Sequence, residues 1–495
     1  MKLIRTGALL TRVIAPAAAV TVTLVMSTSG AMAQPGGAAD WASPGQWPMA
    51  GQNIDDTHFQ AAEHQISPAN VGRLAPRWTL TTAGAISATP TVDDSAVYVP
   101  DYGGKLWAVA AGSGRVLWSR DISSYTGVAG DQSRTSPAVY GNELILGDGW
   151  ILSPSTSGTR VFAVDRRTGA PVWSTVVDTD PAAIITGSPV VFDGVAYFGI
   201  SSKGEGTTAD SFRGAVIALD AATGRLLWKA YMVPSNNGGS DSNKPGYYSG
   251  VAVWESSFAV DPQRGLLYVD TGNNYGVPAG VCTTWTLLQP IGPDFDFGAG
   301  PNLFTTTSSV TGRPEQLLGV GQKSGVYWAV DPATGKVVWQ TQVGPVGILY
   351  GTATDGRRIY AADGDFFSTP YTLGGSGPNA GQTIIGGSWT ALDPATGKIL
   401  WQTPDPQGAI DASFVSAANG VIYAGSLAAT GTDMYALDAA TGTILWSFAS
   451  GGSVTGGAAI ADGTVYWGSG YCGTACLGSA PVTNNNKVYA FGLRR

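Results

Sequence analysis

The chain has 495 residues, is 13% charged, and carries 35 acidic against 27 basic side chains, a formal net charge of −8. That balance disfavours a nucleic-acid binder, whose affinity rests on lysine and arginine neutralising phosphates, and it offers no basic patch to anionic lipid. The length suffices for one large repeating domain or several small ones.

The N-terminus reads as a secretory signal. Lys2, Arg5 and Arg12 form a positive region, "VIAPAAAVTVTLVM" is apolar, and "AMA" ending at Ala33 is a small-residue cleavage site. The expected division is a signal peptide over 1–33 and a mature domain over 34–495. The apolar run is too short and poorly flanked for a membrane anchor, so no membrane span is expected. Arg5 and Arg12 are separated, which points to export by the general route and to a periplasmic or secreted protein. Losing three basic residues makes the mature chain more acidic still.

Three cysteines occur. Cys472 and Cys476 in "YCGTACLG" are close enough to staple a tight loop or to stay as free thiols, and Cys282 is left over. No Cys-x-x-Cys-His occurs, which excludes covalent haem c. His58 and His64, the only histidines, are too few for a zinc site and are expected on the surface.

Beyond the leader the chain repeats itself. "LWAVAAGSGRVLW" ends at Trp118, "VFAVDRRTGAPVW" at Trp173, "VIALDAATGRLLW" at Trp228, "YWAVDPATGKVVW" at Trp339, "WTALDPATGKILW" at Trp401 and "MYALDAATGTILW" at Trp446. Each unit reads strand, Asp-x-x-Thr-Gly turn, strand, Trp. The aspartate can bond its own turn, glycine supplies positive φ, and the indole suits packing between repeats. The long stretch from Trp228 to Trp339 holds two units, one degenerate, with "SSFAVDPQRGLLYVDTGN" inside. "NKVYAFGL" near the C-terminus would pair with the segment leading to Trp78 and close a ring. The expectation is an all-β, eight-bladed β-propeller of four-stranded antiparallel blades, with no second domain.

More specific segments follow one another along nearly the whole mature chain: "WPMAGQNIDDTHFQAAEHQISPANVGRLAPRW", "SRTSPAVYGNELILGD", "GISSKGEG", "LLYVDTGNNY", "PDFDFGAGPNLF", "GQKSGVYWAVDPATGKVVW" and "GGSVTGGAAIADGTVYWGSGY". With the repeat, they resemble the pyrroloquinoline quinone (PQQ) alcohol dehydrogenases, and most of all the polyvinyl alcohol dehydrogenase branch. The repeat alone is also found in non-catalytic outer-membrane assembly scaffolds.

The chemistry such a site requires is definite. An ortho-quinone accepts hydride at a carbonyl carbon that a hard cation makes more electrophilic. The cation wants oxygen ligands, a carboxylate must take the hydroxyl proton, and the flat cofactor needs an apolar floor and partners for its carboxylates.

Several positions match. Glu205 in "SSKGEG" is a loop-tip acid by itself and a metal ligand by resemblance. Asn273 in "DTGNNY" is a turn former or the matching amide ligand, a structural role Asn274 could equally fill. Asp294 and Asp296 in "PDFDFGAG" read alone as turn residues. The resemblance makes Asp296 the base and a metal ligand, with Asp294 a flanking acid. It also puts Gly298 where lanthanide-dependent relatives carry a further aspartate, so Ca²⁺ is the expected metal. Lys323 in "GQKSGVY" is a solvated turn lysine or a partner of the quinone oxygens. Arg134 in "SRTSPA" matches an arginine that binds a cofactor carboxylate, and Thr186 and Ser202 match further polar contacts. Trp254 in "VAVWESS" is a core residue or the floor under the quinone.

The resemblance therefore implies a PQQ- and Ca²⁺-dependent alcohol dehydrogenase. The expected substrate is a secondary alcohol, possibly polymeric, giving a ketone or aldehyde. Two departures matter: no adjacent cysteine pair occurs to form the ring that covers the quinone in many relatives, and no haem c motif occurs. Electrons would pass to a separate acceptor such as a soluble cytochrome c. Two other readings stay open at this level, a cofactor-free envelope scaffold and a PQQ enzyme for sugars or small primary alcohols.

Overall fold

The computed structural model describes residues 2–4, 23–26, 45–149, 158–203, 212–233, 248–254, 257–276, 295–471 and 482–494. Glu205, Asp294, Cys282, Cys472 and Cys476 lie outside the described residues. The repeat becomes a succession of antiparallel sheets. Among the described residues, the strands group into eight sheets of four or five strands, with two further two-stranded ribbons. The molecule is a β-propeller.

A representative sheet joins Thr91–Asp93, Ala96–Pro100, Lys105–Ala110 and Val116–Asp121 in chain order. The Asp-x-x-Thr-Gly turn links its third and fourth strands wherever the motif is intact. In the second sheet, Asp165 Oδ1 accepts the backbone N–H groups of Arg167 and Thr168 and the Thr168 hydroxyl at 2.9–3.0 Å. Gly169 then closes the turn at φ 68°. In the degenerate unit the equivalent-looking "DPQRG" joins the first two strands, Ala259–Asp261 and Leu266–Val269. Residues 23–26 pair antiparallel with 266–269, and 2–4 pair with 23–26 in parallel.

The repeat tryptophans work between sheets. Trp118 Nε1 donates to Arg166 O at 3.0 Å, and Trp173, Trp339 and Trp401 donate to Ala221, Pro394 and Ala439 of the following sheets at 3.1 Å each. Each ring lies over the turn glycine of that next repeat: a Cβ on Gly169 would stand 2.6 Å from Trp118, and one on Gly442 2.5 Å from Trp401. The motif thus places a flat aromatic and a missing side chain so that one sheet keys into the next. Aliphatic and aromatic layers fill the rest of each junction. Tyr98, Leu106 and Trp118 of one sheet pack on Leu144, Phe162 and Val164 of its neighbour.

The ring closes as the sequence suggests. Leu74–Thr81 pairs antiparallel with Lys487–Leu493, so both ends of the propeller share one sheet. Closure leaves each first strand as an inner edge with unpaired backbone groups. Residues 47–60 satisfy them. Trp47 exchanges bonds with Val92, and Val139, Val260, Leu303, Thr354 and Ala417 donate to the carbonyls of Pro48, Ile54, Asp55, Thr57 and His58 at 2.7–2.9 Å. Gln60 Nε2 reaches Ile460 O, and Met49 joins the apolar cluster that includes Val190 of the remaining sheet. Among the described residues, direct hydrogen bonds thus join this segment to the inner edges of seven of the eight sheets.

Its course corrects one expectation. His58 is fully buried, not on the surface, with Nε2 3.4 Å from Asp56 Oδ1 and its ring 5.8 Å from that of Phe414. A polar residue in this segment is enclosed because the ring closes around it. His64, beyond the threaded part, is exposed as expected. Among the described residues, no helix is long and apolar enough to cross a membrane.

Candidate active site

Two loops per sheet emerge on one face, the one before the first strand and the one after the second. They converge on a cavity of about 170 Å³. Arg134, Thr186, Trp254, Asp296 and Tyr350 come from the first kind of loop; Tyr102, Asn273, Lys323 and Tyr471 come from the second, with Ser202 at a strand end. Seven predicted residues, Arg134, Thr186, Ser202, Trp254, Asn273, Asp296 and Lys323, are thus brought to one wall system. Their wide separation in sequence is the ordinary result of a ring in which every repeat contributes to the axis.

Asp296 is the focus. It is 3% exposed, yet its carboxylate accepts three bonds. Trp254 Nε1 donates to Oδ2 at 2.9 Å, the Lys323 ammonium to Oδ2 at 2.9 Å, and the Asn273 backbone N–H to Oδ1 at 2.7 Å. A buried carboxylate is costly without such partners, and an ion pair plus two N–H donors offsets that cost. The loops are tied by backbone as well, since Lys323 N–H donates to Asp296 O at 2.9 Å. The Lys323 ammonium also sits 5.0 Å from the centre of the Trp254 ring. Thr186 Oγ1 donates to Trp254 O at 3.3 Å and fixes that loop.

Another part of the lining is phenolic and cationic. Tyr350 and Tyr471 share a hydroxyl bond of 2.9 Å, Ser87 Oγ donates to Tyr102 Oη at 2.8 Å, and the Arg134 guanidinium lies 5.8 Å from the Tyr350 ring centre. Burial pushes the Tyr102 hydroxyl up to about 12 and raises that of Tyr471 as well, so both remain neutral donors. Burial works against the charge of Arg134, but the phenols of Tyr102, Tyr471 and Tyr350 outweigh it and the net direction is upward.

This donor set fits a planar polyacid: a guanidinium, an ammonium, two aliphatic hydroxyls and neutral phenols around an indole. It also brings together two of the three predicted metal ligands, Asn273 and Asp296; Glu205, the third, is outside the described residues. Among the described residues no group of three His, Cys, Asp or Glu side chains could hold a metal by itself. The phenols of Tyr102, Tyr350 and Tyr471 escaped the sequence reading because each stands alone in its loop, with no spacing that links it to another.

Comparison with known proteins bears on this geometry. Residues 47–277 match the family described as "Glucose/ethanol/alcohol dehydrogenase, beta-propeller domain". Residues 212–369 and 386–491 match the one described as "Outer membrane protein assembly factor BamB". A polyvinylalcohol dehydrogenase of Sphingopyxis sp. (strain 113P3) is 30% identical over 500 residues, 88% of this chain and 74% of that protein. The chain belongs to the quinoprotein alcohol dehydrogenase family. Within that family, a polyvinylalcohol dehydrogenase of Pseudomonas sp. is 28% identical, covering 92% of this chain and 78% of its own length. The fold agrees: the crystal structure of a quinohemoprotein alcohol dehydrogenase from Comamonas testosteroni superposes with a TM-score of 0.69 at 19% identity, over 92% of this chain and 82% of that one.

Proposed function

We propose that the protein oxidises an alcohol, best a secondary alcohol carried on a polymer, to a ketone or aldehyde with PQQ and Ca²⁺. The observation that carries this is the buried Asp296 carboxylate, held by three donors in a cavity whose lining also carries Arg134 and three phenols. When bound, PQQ supplies the hydride-accepting carbonyl and Ca²⁺ the charge that polarises it. Arg134 and the phenols would hold the cofactor's carboxylates, and Thr186 and Ser202 its other polar edge. Asn273, Asp296 and Glu205 would offer oxygens to the metal. A side chain at Gly298 has no room beside Trp254, which supports a site without a third acid and hence Ca²⁺.

Asp296 takes the hydroxyl proton as the carbinol hydrogen leaves with its electron pair, so the alcohol loses both hydrogens and becomes a carbonyl. Lys323 stands beside that carboxylate and balances negative charge developing on the oxygens it faces. Trp254 walls the cavity with an apolar surface. The absence of an adjacent cysteine pair leaves the mouth free of that cover, which suits a bulky substrate. Reoxidation would fall to a separate carrier such as a soluble cytochrome c, with the protein working in the periplasm or outside the cell.

A spectrophotometric titration of apo-protein with PQQ, with and without Ca²⁺, tests the reading when followed by dye reduction on adding polyvinyl alcohol and then a short secondary alcohol. Calcium-dependent binding and alcohol-dependent turnover are expected. A protein that binds no PQQ in either condition would be a scaffold, and the reading would fall. Faster turnover of short alcohols or sugars than of polymer would replace the substrate while keeping the enzyme.

A further inference from the structure

Two glycines make room for the bond between Trp254 and Asp296. A Cβ on Gly298 would stand 2.2 Å from Cη2 and 2.6 Å from Cζ2 of Trp254, and 2.8 Å from the Leu349 carbonyl oxygen. One on Gly272 would stand 3.2 Å from both Trp254 Nε1 and Asp296 Oδ2. Neither glycine has positive φ, so backbone freedom is not what requires them. Space is. At Gly298 the obstructing atoms are a rigid ring and a backbone oxygen, which cannot yield as a flexible side chain would.

We propose that Gly298 is the seat of Trp254 and that the pair forms a latch aiming the Asp296 carboxylate; this rests on Asp296 being the base. Two groups bond Oδ2, but they differ in stiffness. Lys323 reaches it on a flexible four-carbon stem, whereas the indole is one plane on two torsions, with its backbone tied through O to Thr186 Oγ1. With the Asn273 backbone N–H holding Oδ1, the indole sets where Oδ2 points, and Gly298 sets the position of the indole. Gly298 and Trp254 are positioning residues. A side chain at 298 tilts the ring, withdraws Nε1–H from Oδ2 and lets that oxygen follow the lysine while Oδ1 stays on the Asn273 N–H, and small misplacements of a reacting group are costly.

A double-mutant cycle on the holoenzyme tests the latch, with Gly298→Ala, Trp254→Ala and both together. Expected are kcat losses of similar size for the two single variants, roughly 10- to 100-fold for a displaced catalytic group, and a double variant no worse than Trp254→Ala. Additive losses, or Gly298→Ala with kcat within about twofold of wild type, overturn the proposal.

Trp254→Phe keeps a ring and loses the N–H. It should lose kcat while its PQQ dissociation constant, read by titration, and its Tm hold, and it carries the test if Gly298→Ala does not fold. An unchanged kcat in Trp254→Phe sinks the latch. Independently of turnover, the ¹⁵N-labelled Trp254 indole resonance of apo-protein should move upfield in Asp296→Ala and in Gly298→Ala. A resonance unmoved by Gly298→Ala also overturns it. If wild type oxidises no alcohol, the functional reading falls instead, and the indole resonance still decides the latch.

Discussion

Asp296 combines near-complete burial with three donors on two oxygens, which a turn-forming aspartate has no reason to collect. Asp296→Asn keeps the shape and removes the proposed base, so turnover should fall by roughly 10²- to 10⁴-fold, the usual worth of a general base. PQQ titration of the same variant should show intact binding. At Arg134 the swap to lysine is not conservative, because a forked planar donor is replaced by a point charge. Arg134→Lys should weaken PQQ binding about tenfold or more, measured by the same titration, with kcat at saturation less affected. Asp296, Asn273 and Lys323 could be picked from sequence only through the family resemblance, since each alone reads as a turn residue beside glycines; the structure brings them to one cavity. Tyr102, Tyr350 and Tyr471 could not, since only the ring brings three isolated tyrosines to one wall. His58 was misplaced for a related reason: burial in a threaded segment leaves no hydrophobic periodicity to detect.

The strand–turn–strand–tryptophan unit was legible almost completely, because both its turn chemistry and its indole are local. Less visible was what the glycine serves. Gly442 combines φ 74° with a Trp401 ring that leaves no space for a methyl. Gly442→Ala should therefore cost more than a strained turn alone, on the order of 2–4 kcal/mol from positive φ plus overpacking, read as a lowered Tm.

The ends of second strands hold a second signal. Asp148 and Asp363 are buried there, and burial, with Asp131 and Asp365 respectively beside them, pushes each carboxyl up to about 8. Their folded values exceed the unfolded one, so the native state binds more protons between the ordinary 3.8 and about 8. That contribution to stability is whole at acid pH and is lost as pH rises through about 8. Tm scans from pH 5 to pH 8.5 should fall along this window, and Asp363→Asn should flatten the fall. A slope unchanged in that variant would assign the effect elsewhere.

Across the whole molecule, closure of the ring was predictable from "NKVYAFGL" and "LAPRW", since a last strand and an early one share the blade pattern. The threading of residues 47–60 was not, because the segment belongs to no repeat and its bonds are backbone bonds that any sequence could make. Removing residues 487–495 deletes no cavity residue, yet it opens the closing sheet. Such a truncation should abolish PQQ binding and cooperative thermal unfolding together, both readable on purified protein. The inner segment adds a temporal consequence. It is among the earlier parts of the chain to be made, but its seats are spread over sheets all round the ring, including the one that needs the final strand. No stretch of the nascent chain can hold it in place, so its docking is a late event and contacts of extreme sequence separation gate the final state. A segment made early is thus among the last to find its place.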